Sequence, residues 1–356
     1  MKIIEGDNHY VIPIYYNLIE SQLIKTFGLL ALDAQISSKI VSEIKNKNRE
    51  KIFAIDMQFV SAFPHSNEVE KVFSPFCDLK EYKLLFYNIQ SEIVDPELLF
   101  TELGVKHSNG FQYTIKDIPE SIYTAIAMNF EFKTPKDDVN LIVELNNAYI
   151  SEIENVVLNY CTDSKTQYLP SSDVYSNKYI QIKSLFANPS ENSFCIYLLC
   201  KMIRDCFARN RVDAIIGMSN TGSILANLVG KMLGKDVVYC SNLGPRFALD
   251  IKHIKGKINK DLNYICVFDF VCLGTEIKNL KTLLRSFEAN LIGGVGVSAY
   301  PSFDYLRSCA DNSEERNSIL TRMYSLINVD SPIFKYEISI KPFASKEGRK
   351  CRRGRP

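Results

Sequence analysis

The sequence predicts an α/β protein in which a parallel sheet with flanking helices forms the second half and a smaller α/β module precedes it. Three observations carry that class. The 356 residues fit about two domains at roughly 100–200 residues each. A composition of 46% hydrophobic and 23% charged residues belongs to a folded globular chain and excludes disordered and fibrous classes. Apolar runs of strand length alternate with amphipathic stretches of helix length along the chain. The predicted divisions are a module over 1–155, a sheet domain over 156–325, and a C-terminal strand and tail over 326–356.

In the first part, residues 17–47 hold one or two amphipathic helices. Residues 51–63, Lys-Ile-Phe-Ala-Ile-Asp-Met-Gln-Phe-Val-Ser-Ala-Phe, read as a buried strand running into a loop at Pro64. Helical spacing returns over 66–79 in Val69, Val72, Phe73 and Phe76, and residues 83–89 are a second buried strand. Leu141, Val143, Leu145, Ile150, Ile153 and Val157 mark a helix over 141–160 that joins the two parts. The string Ala-Ile-Asp-Met-Gln-Phe-Val resembles the core strand of STAS-like domains, which are mostly interaction modules.

In the second part, an apolar-striped helix over 193–210 ends in Arg-Asn-Arg. Val212–Ile216 is a short buried strand and Gly217-Met-Ser-Asn-Thr-Gly222 a tight loop. Ser223–Leu233 is a helix that stops at Gly234, the residue type helices favour just past their end. Val237–Cys240 and Tyr264–Phe268 are the next strands, 275–288 a helix, and Leu291–Ser298 a glycine-interrupted strand. Strand, loop and helix in this succession need a parallel sheet with right-handed crossovers.

The charge is +1 overall, which excludes a polycation coating nucleic acid along its whole surface. It is unevenly spread: residues 346–356 hold six cations and one anion, a net +5, so the other 345 residues carry −4. That tail is either a solvated end or a contact for nucleic acid phosphates. Ten cysteines include no Cys-x-x-Cys pair, and the four histidines, at 9, 65, 107 and 253, follow no metal-ligand spacing, so no metal site and no disulfide framework is expected. No run of 18 apolar residues is present and the start lacks a signal-peptide pattern, so no membrane association and a cytoplasmic location are expected. Nineteen Tyr and 21 Phe form no stacking stripe of the kind that binds single-stranded RNA.

In an open parallel sheet, ligands bind beyond the carboxyl ends of the strands, where loops enter helices. Two segments meet that description. In Gly217–Gly222, glycines and small polar residues let backbone N–H groups face an anion, although such turns also serve packing alone. In Val267-Phe-Asp-Phe-Val-Cys-Leu-Gly-Thr-Glu-Ile277, a buried strand ends in Asp269 and a Gly274-Thr275 turn opens a helix. An acid at a strand end can hold ribose hydroxyls, and the turn can cradle a phosphate.

This second segment resembles the ribose-phosphate-binding signature of type I phosphoribosyltransferases, in particular their orotate branch. Leu169-Pro-Ser-Ser-Asp-Val-Tyr-Ser-Asn-Lys-Tyr-Ile-Gln-Ile-Lys183 is similar to the hood segment that lies over the base in that branch. Ser241–Gly256 stands where the family keeps a mobile catalytic loop. The resemblance covers residues 165–300. It implies Asp269 on the ribose, Gly274 and Thr275 on the 5′-phosphate, and Ser219, Asn220, Thr221 and Gly222 on the pyrophosphate side. It further implies Lys183 at the ligand, Arg246, Lys252 and His253 as catalytic groups meeting the pyrophosphate, and Mg²⁺ with a diphosphate ligand.

The chain also departs from that pattern. Phe268 replaces the first of the two acids, and Cys272 and Leu273 replace residues that are small or hydroxylic in the phosphate loop. Glu276 follows Gly274-Thr275, where a carboxylate repels phosphate unless it points away; it also suits the helix dipole. The expected function is therefore a phosphoribosyltransferase-like protein that binds a ribose-phosphate or nucleotide ligand with altered or regulated glycosyl chemistry. The alternative is a non-catalytic interaction or regulatory subunit that retains the fold. An added module on such a core resembles effectors of bacterial antiphage defence, retron-associated ones included, which implies a protein partner or a homo-oligomer.

Overall fold

The computed structural model describes residues 2–15, 30–62, 74–79, 82–87, 125–127, 135–162, 167–169, 174–176, 179–241, 243, 254–300 and 319–328. The first sheet contains β1 (Ile4–Glu5), β2 (His9–Pro13), β3 (Ile52–Asp56), β4 (Lys83–Tyr87) and β5 (Ala125–Ala127), in that spatial order. Strands β2, β3 and β4 are parallel, and β1 and β5 close the edges antiparallel. Unbroken apolar runs such as Ile-Phe-Ala-Ile suit a parallel strand buried on both faces. Helix α1 (Ala34–Ile44) is capped by Asp33, whose side chain accepts from the Ile36 N–H at 2.8 Å, and buries Ser37, Ile40, Val41 and Ile44 at helical spacing. The helix predicted around 141–160 is longer: α2 spans Pro135–Leu158, with proline at its first position, where its missing N–H has no partner to lose. Over 66–79 the described end is a 3₁₀ turn, Ser74–Asp78, rather than an α-helix.

Helix α3 (Pro189–Cys206) begins four residues before the predicted start, because Asn188 accepts from the Glu191 N–H and Pro189 opens the helix. The second sheet is built from β6 (Ala214–Met218), helix α4 (Ser219–Leu233), β7 (Asp236–Cys240), β8 (Ile254–Lys255), β9 (Asn263–Val271), helix α5 (Thr275–Ser286), β10 (Asn290–Ala299) and β11 (Met323–Asn328). Its spatial order is β8-β7-β6-β9-β10-β11, all parallel except the edge strand β8. The parallel sheet with flanking helices that the sequence predicts is present. Strand β11 starts at Met323, ahead of the predicted C-terminal segment, and residues 329–356, the basic tail included, lie outside the described residues.

Successive residues of β9 alternate between two cores, as a pleated strand requires. Ile265 and Val267 join a cluster with Leu225 and Val229 of α4 and Phe194 and Leu199 of α3. Cys266 and Phe268 face the other way, against Ile277, Leu280 and Leu284 of α5. The first cluster continues into Ile12, Ile55 and Leu85 of the first sheet and Tyr149 and Ile153 of α2. Asp56, which ends β3, is fully buried there, and its Oδ2 accepts from the hydroxyls of Tyr149 at 2.9 Å and Tyr197 at 2.6 Å.

Candidate functional site

Spatial order reverses between β6 and β9: β7 follows β6 on one side and β10 follows β9 on the other. The carboxyl ends of these neighbouring strands are where an open α/β sheet holds its ligand. An open cleft lies there, lined by Met218 and Ser219 from the β6 end and by Phe268–Cys272 and Gly274–Ile277 from the β9 end.

The loop predicted over Gly217–Gly222 is not a loop. Strand β6 runs to Met218 and α4 starts at Ser219 without a spacer. Both glycines serve close packing. A Cβ on Gly217 would lie 2.5 Å from the Ser223 Cα, and one on Gly222 would lie 2.9 Å from the Val267 carbonyl oxygen. Gly222 thus lets α4 settle directly on β9 beside Asp269. Ser219 takes the strain of so abrupt a junction, with φ of 63° in the left-handed region. Its Oγ accepts from the Gly222 N–H at 3.2 Å, holding the first turn. Met218, at the cap position of α4, offers no capping side chain, and of the leading amides the Gly222 N–H is taken by Ser219 Oγ.

Asp269 faces this helix start. Its Oδ1 accepts from the Phe270 N–H at 3.0 Å and from Ser219 Oγ at 3.5 Å, and Thr221 also donates to it. Burial pushes its carboxyl above the ordinary carboxylate range, against the pull of those donors. Ser219, Thr221 and Gly222 are therefore gathered around Asp269, while Asn220 is exposed to solvent. Across the cleft, Gly274 caps α5 in the left-handed region at φ of 70°, which glycine adopts without strain. Thr275 follows as the first helical residue, again with no side-chain cap. Lys183 sits exposed in a short helix, Ile182–Leu185, and is not part of the cleft wall. Arg246, Lys252 and His253 lie outside the described residues.

Glu276 and Phe268 complete this wall of the cleft. Glu276 does not point away: it lines the cleft, half-buried, and its carboxyl is pushed up to about 7 by burial and by the charge of Asp269. The same carboxylate helps raise the Cys240 thiol to about 12, second to burial, which turns Glu276 toward the end of β7. Phe268, at the position of the missing acid, is buried with its ring against Gly296, its register partner on β10. The cleft wall thus carries two carboxylates and, among the described residues, no cation. No three His, Cys, Asp or Glu side chains gather as a metal site among the described residues, and no described helix is long and apolar enough to cross a membrane.

No family model matches the chain, and no curated protein matches it. Among solved structures it is similar to adenine phosphoribosyltransferase from Saccharomyces cerevisiae, at 18% identity over 51% of this chain and 99% of that one, with a TM-score of 0.37. It is also similar to orotate phosphoribosyltransferase from Aeropyrum pernix, at 19% identity over 51% and 93% of the two chains and a TM-score of 0.40. The orotate phosphoribosyltransferase of Mycobacterium tuberculosis H37Rv matches at 10% identity over 51% and 97%, with a TM-score of 0.36. The likeness is one of fold, and about half of this chain lies outside it.

Proposed function

We propose that the second half of the chain is a phosphoribosyltransferase-like unit that binds a ribosyl ligand related to ribose phosphates and nucleotides, with altered or regulated glycosyl chemistry. One observation carries the reading: Asp269 is a buried carboxylate at the order-reversal point of a parallel sheet, between two helix starts whose cap residues, Met218 and Gly274, offer no capping side chain. A carboxylate so placed accepts hydrogen bonds from vicinal ribose hydroxyls, and the amides of Ser219–Thr221 and of Gly274–Thr275 receive the two ends of the sugar.

Mg²⁺ fits the donor set. This cation is commonly held by one or two carboxylates together with waters and phosphate oxygens, and Asp269 is the carboxylate beside the α4 amides. When bound there, Mg²⁺ supplies charge neutralisation for a diphosphate. Phe268 places an apolar ring where the family signature has an acid, which favours the second reading, a fold retained for binding without turnover. The wider role attached to both readings is that of an effector in bacterial antiphage defence, of the retron-associated kind. It would work with a protein partner or as a homo-oligomer, and the basic end would meet nucleic acid.

A thermal-shift panel with Mg²⁺ tests the site, using ribose, ribose 5-phosphate, adenosine, AMP and phosphoribosyl diphosphate. At least one ribosyl compound should stabilise the wild type and fail to stabilise Asp269→Asn. A ligand present at about 100 times its dissociation constant adds about 2.7 kcal/mol, which such a scan resolves readily. Equal stabilisation of both proteins would sink the assignment.

A further inference from the structure

The start of α5 is an uncapped helix N-terminus opened by a left-handed glycine, a place where a sugar phosphate would find free amides. Here the second residue of the helix is an acid. Glu276 lines the same cleft as Asp269, and no described residue of the wall is basic. The first turn of this helix thus carries an acid of its own, at a place where the dipole favours an anionic side chain. A phosphate monoester arriving at the same amides would meet one carboxylate beside it and another across the cleft. A neutral hydroxymethyl group would meet only hydrogen-bond partners.

We propose that Glu276 sets the ligand class of the cleft, admitting a ribosyl group with a free 5′-hydroxyl, as in a nucleoside, and discriminating against one with a 5′-phosphate. The inference rests on the reading that a ribose ring enters this cleft, and it narrows that reading. Like charges about 5 Å apart at the permittivity of a partly buried site interact strongly enough to change an affinity more than tenfold. Glutamine at 276 keeps the size and the hydrogen-bonding reach while removing the charge. Threonine removes the charge and the bulk together.

Ribose and ribose 5-phosphate differ only in that phosphate and are the probes. Ligand-observed NMR titration at pH 8, with Mg²⁺ present throughout, would compare the wild type with Glu276→Gln, Glu276→Thr and Asp269→Asn. The wild type should bind ribose at least as tightly as ribose 5-phosphate. Both Glu276 variants should gain tenfold or more for ribose 5-phosphate with less than a twofold change for ribose. A wild type that prefers ribose 5-phosphate, or Glu276 variants whose affinity for it is unchanged or lower, overturns the inference. If ribose binding is still lost in Asp269→Asn, only the inference falls and the ribosyl site stands. If neither probe binds the wild type, the ribosyl reading falls and the inference with it.

Discussion

Replacing Glu276 with glutamine should make the protein more stable, and by an amount that depends on pH. The native carboxyl titrates at about 7 against an ordinary 4.5, raised first by burial and then by Asp269. At about 1.36 kcal/mol for each pKa unit, that rise corresponds to about 3 kcal/mol as an upper figure, and to about 2 once water reaching a half-buried group is allowed for. The sign follows from the protons. Between about 4.5 and 7 the native state holds a proton that the unfolded chain has released, so stability falls as pH rises through this window. Below 4.5 both states are protonated and the penalty vanishes; above 7 both are ionised and it is complete. Glu276→Gln lacks the titration. The gap between the two proteins should therefore grow from near zero at pH 4.5 to about 2–3 kcal/mol at pH 8. Asp269 is raised as well, but it contributes to both proteins and largely cancels in the difference. Urea unfolding of the two proteins at pH 5, 6, 7 and 8, with m-values checked for constancy, measures the gap. A gap that does not change with pH, or a wild type more stable than the variant at pH 8, would refute the placement of Glu276 in the cleft.

Three further outcomes follow from the packing and the charge. Asp56→Ala removes the acceptor of the Tyr149 and Tyr197 hydroxyls inside the core and should cost about 3 kcal/mol or more, with Asp56→Asn milder because an amide oxygen still accepts. Denaturant midpoints measure this, and an alanine variant as stable as the wild type would disprove the coupling. Gly296→Ala puts a methyl 2.0 Å from Phe268 Cε2 and should cost about 1–3 kcal/mol, with part of the loss recovered by adding Phe268→Leu. Thermal unfolding of the single and double variants checks it, and strict additivity would speak against a clash. Deleting 346–356, with its six cations, should remove a log–log salt slope near −5 from any duplex DNA binding. Gel shifts across salt concentrations that are equal for the full and shortened chains would rule that role out.

The strands and helices of the second sheet were legible because each buried strand is a short apolar run and each helix carries its own stop or start, such as Gly234 or Gly274. The junction at Gly217–Gly222 was not. Glycine signals a turn when read locally, whereas here both glycines answer a tertiary demand, the descent of α4 onto β9. The orientation of Glu276 was equally out of reach. Its rank as the second residue of a helix fixes its place on the backbone, but which way the side chain leans depends on Asp269 and the end of β7, brought near only by the sheet order.

The same limit separates two aspartates that look alike in sequence. Ile-Phe-Ala-Ile-Asp56 and Ile-Cys-Val-Phe-Asp269 both set a single acid after an apolar run, Asp56 as the last residue of β3 and Asp269 two residues before the end of β9, and both strands lie inside parallel sheets. What differs is the element that covers the strand end. Over Asp56 stand Tyr149 of α2 and Tyr197 of α3, whose hydroxyls satisfy the carboxylate and seal it, and whose own ionisation is pushed far up by that burial and charge. Over Asp269 stands the start of α4, with Ser219 Oγ at 3.5 Å, Thr221 also donating, and a cleft alongside. A sealed, fully bonded carboxylate has no capacity left for a ligand and acts as a fastener between the first sheet and α3. A carboxylate that borders an open cleft can still accept from an incoming hydroxyl. Helix α3 takes part in both arrangements, since Tyr197 grips Asp56 while Cys200, one turn on, packs its thiol 4.0 Å from the Val229 carbonyl of α4. The helix whose start lines the cleft is therefore braced through α3 on the first sheet, and loosening the Asp56 fastener should be felt at the Asp269 site.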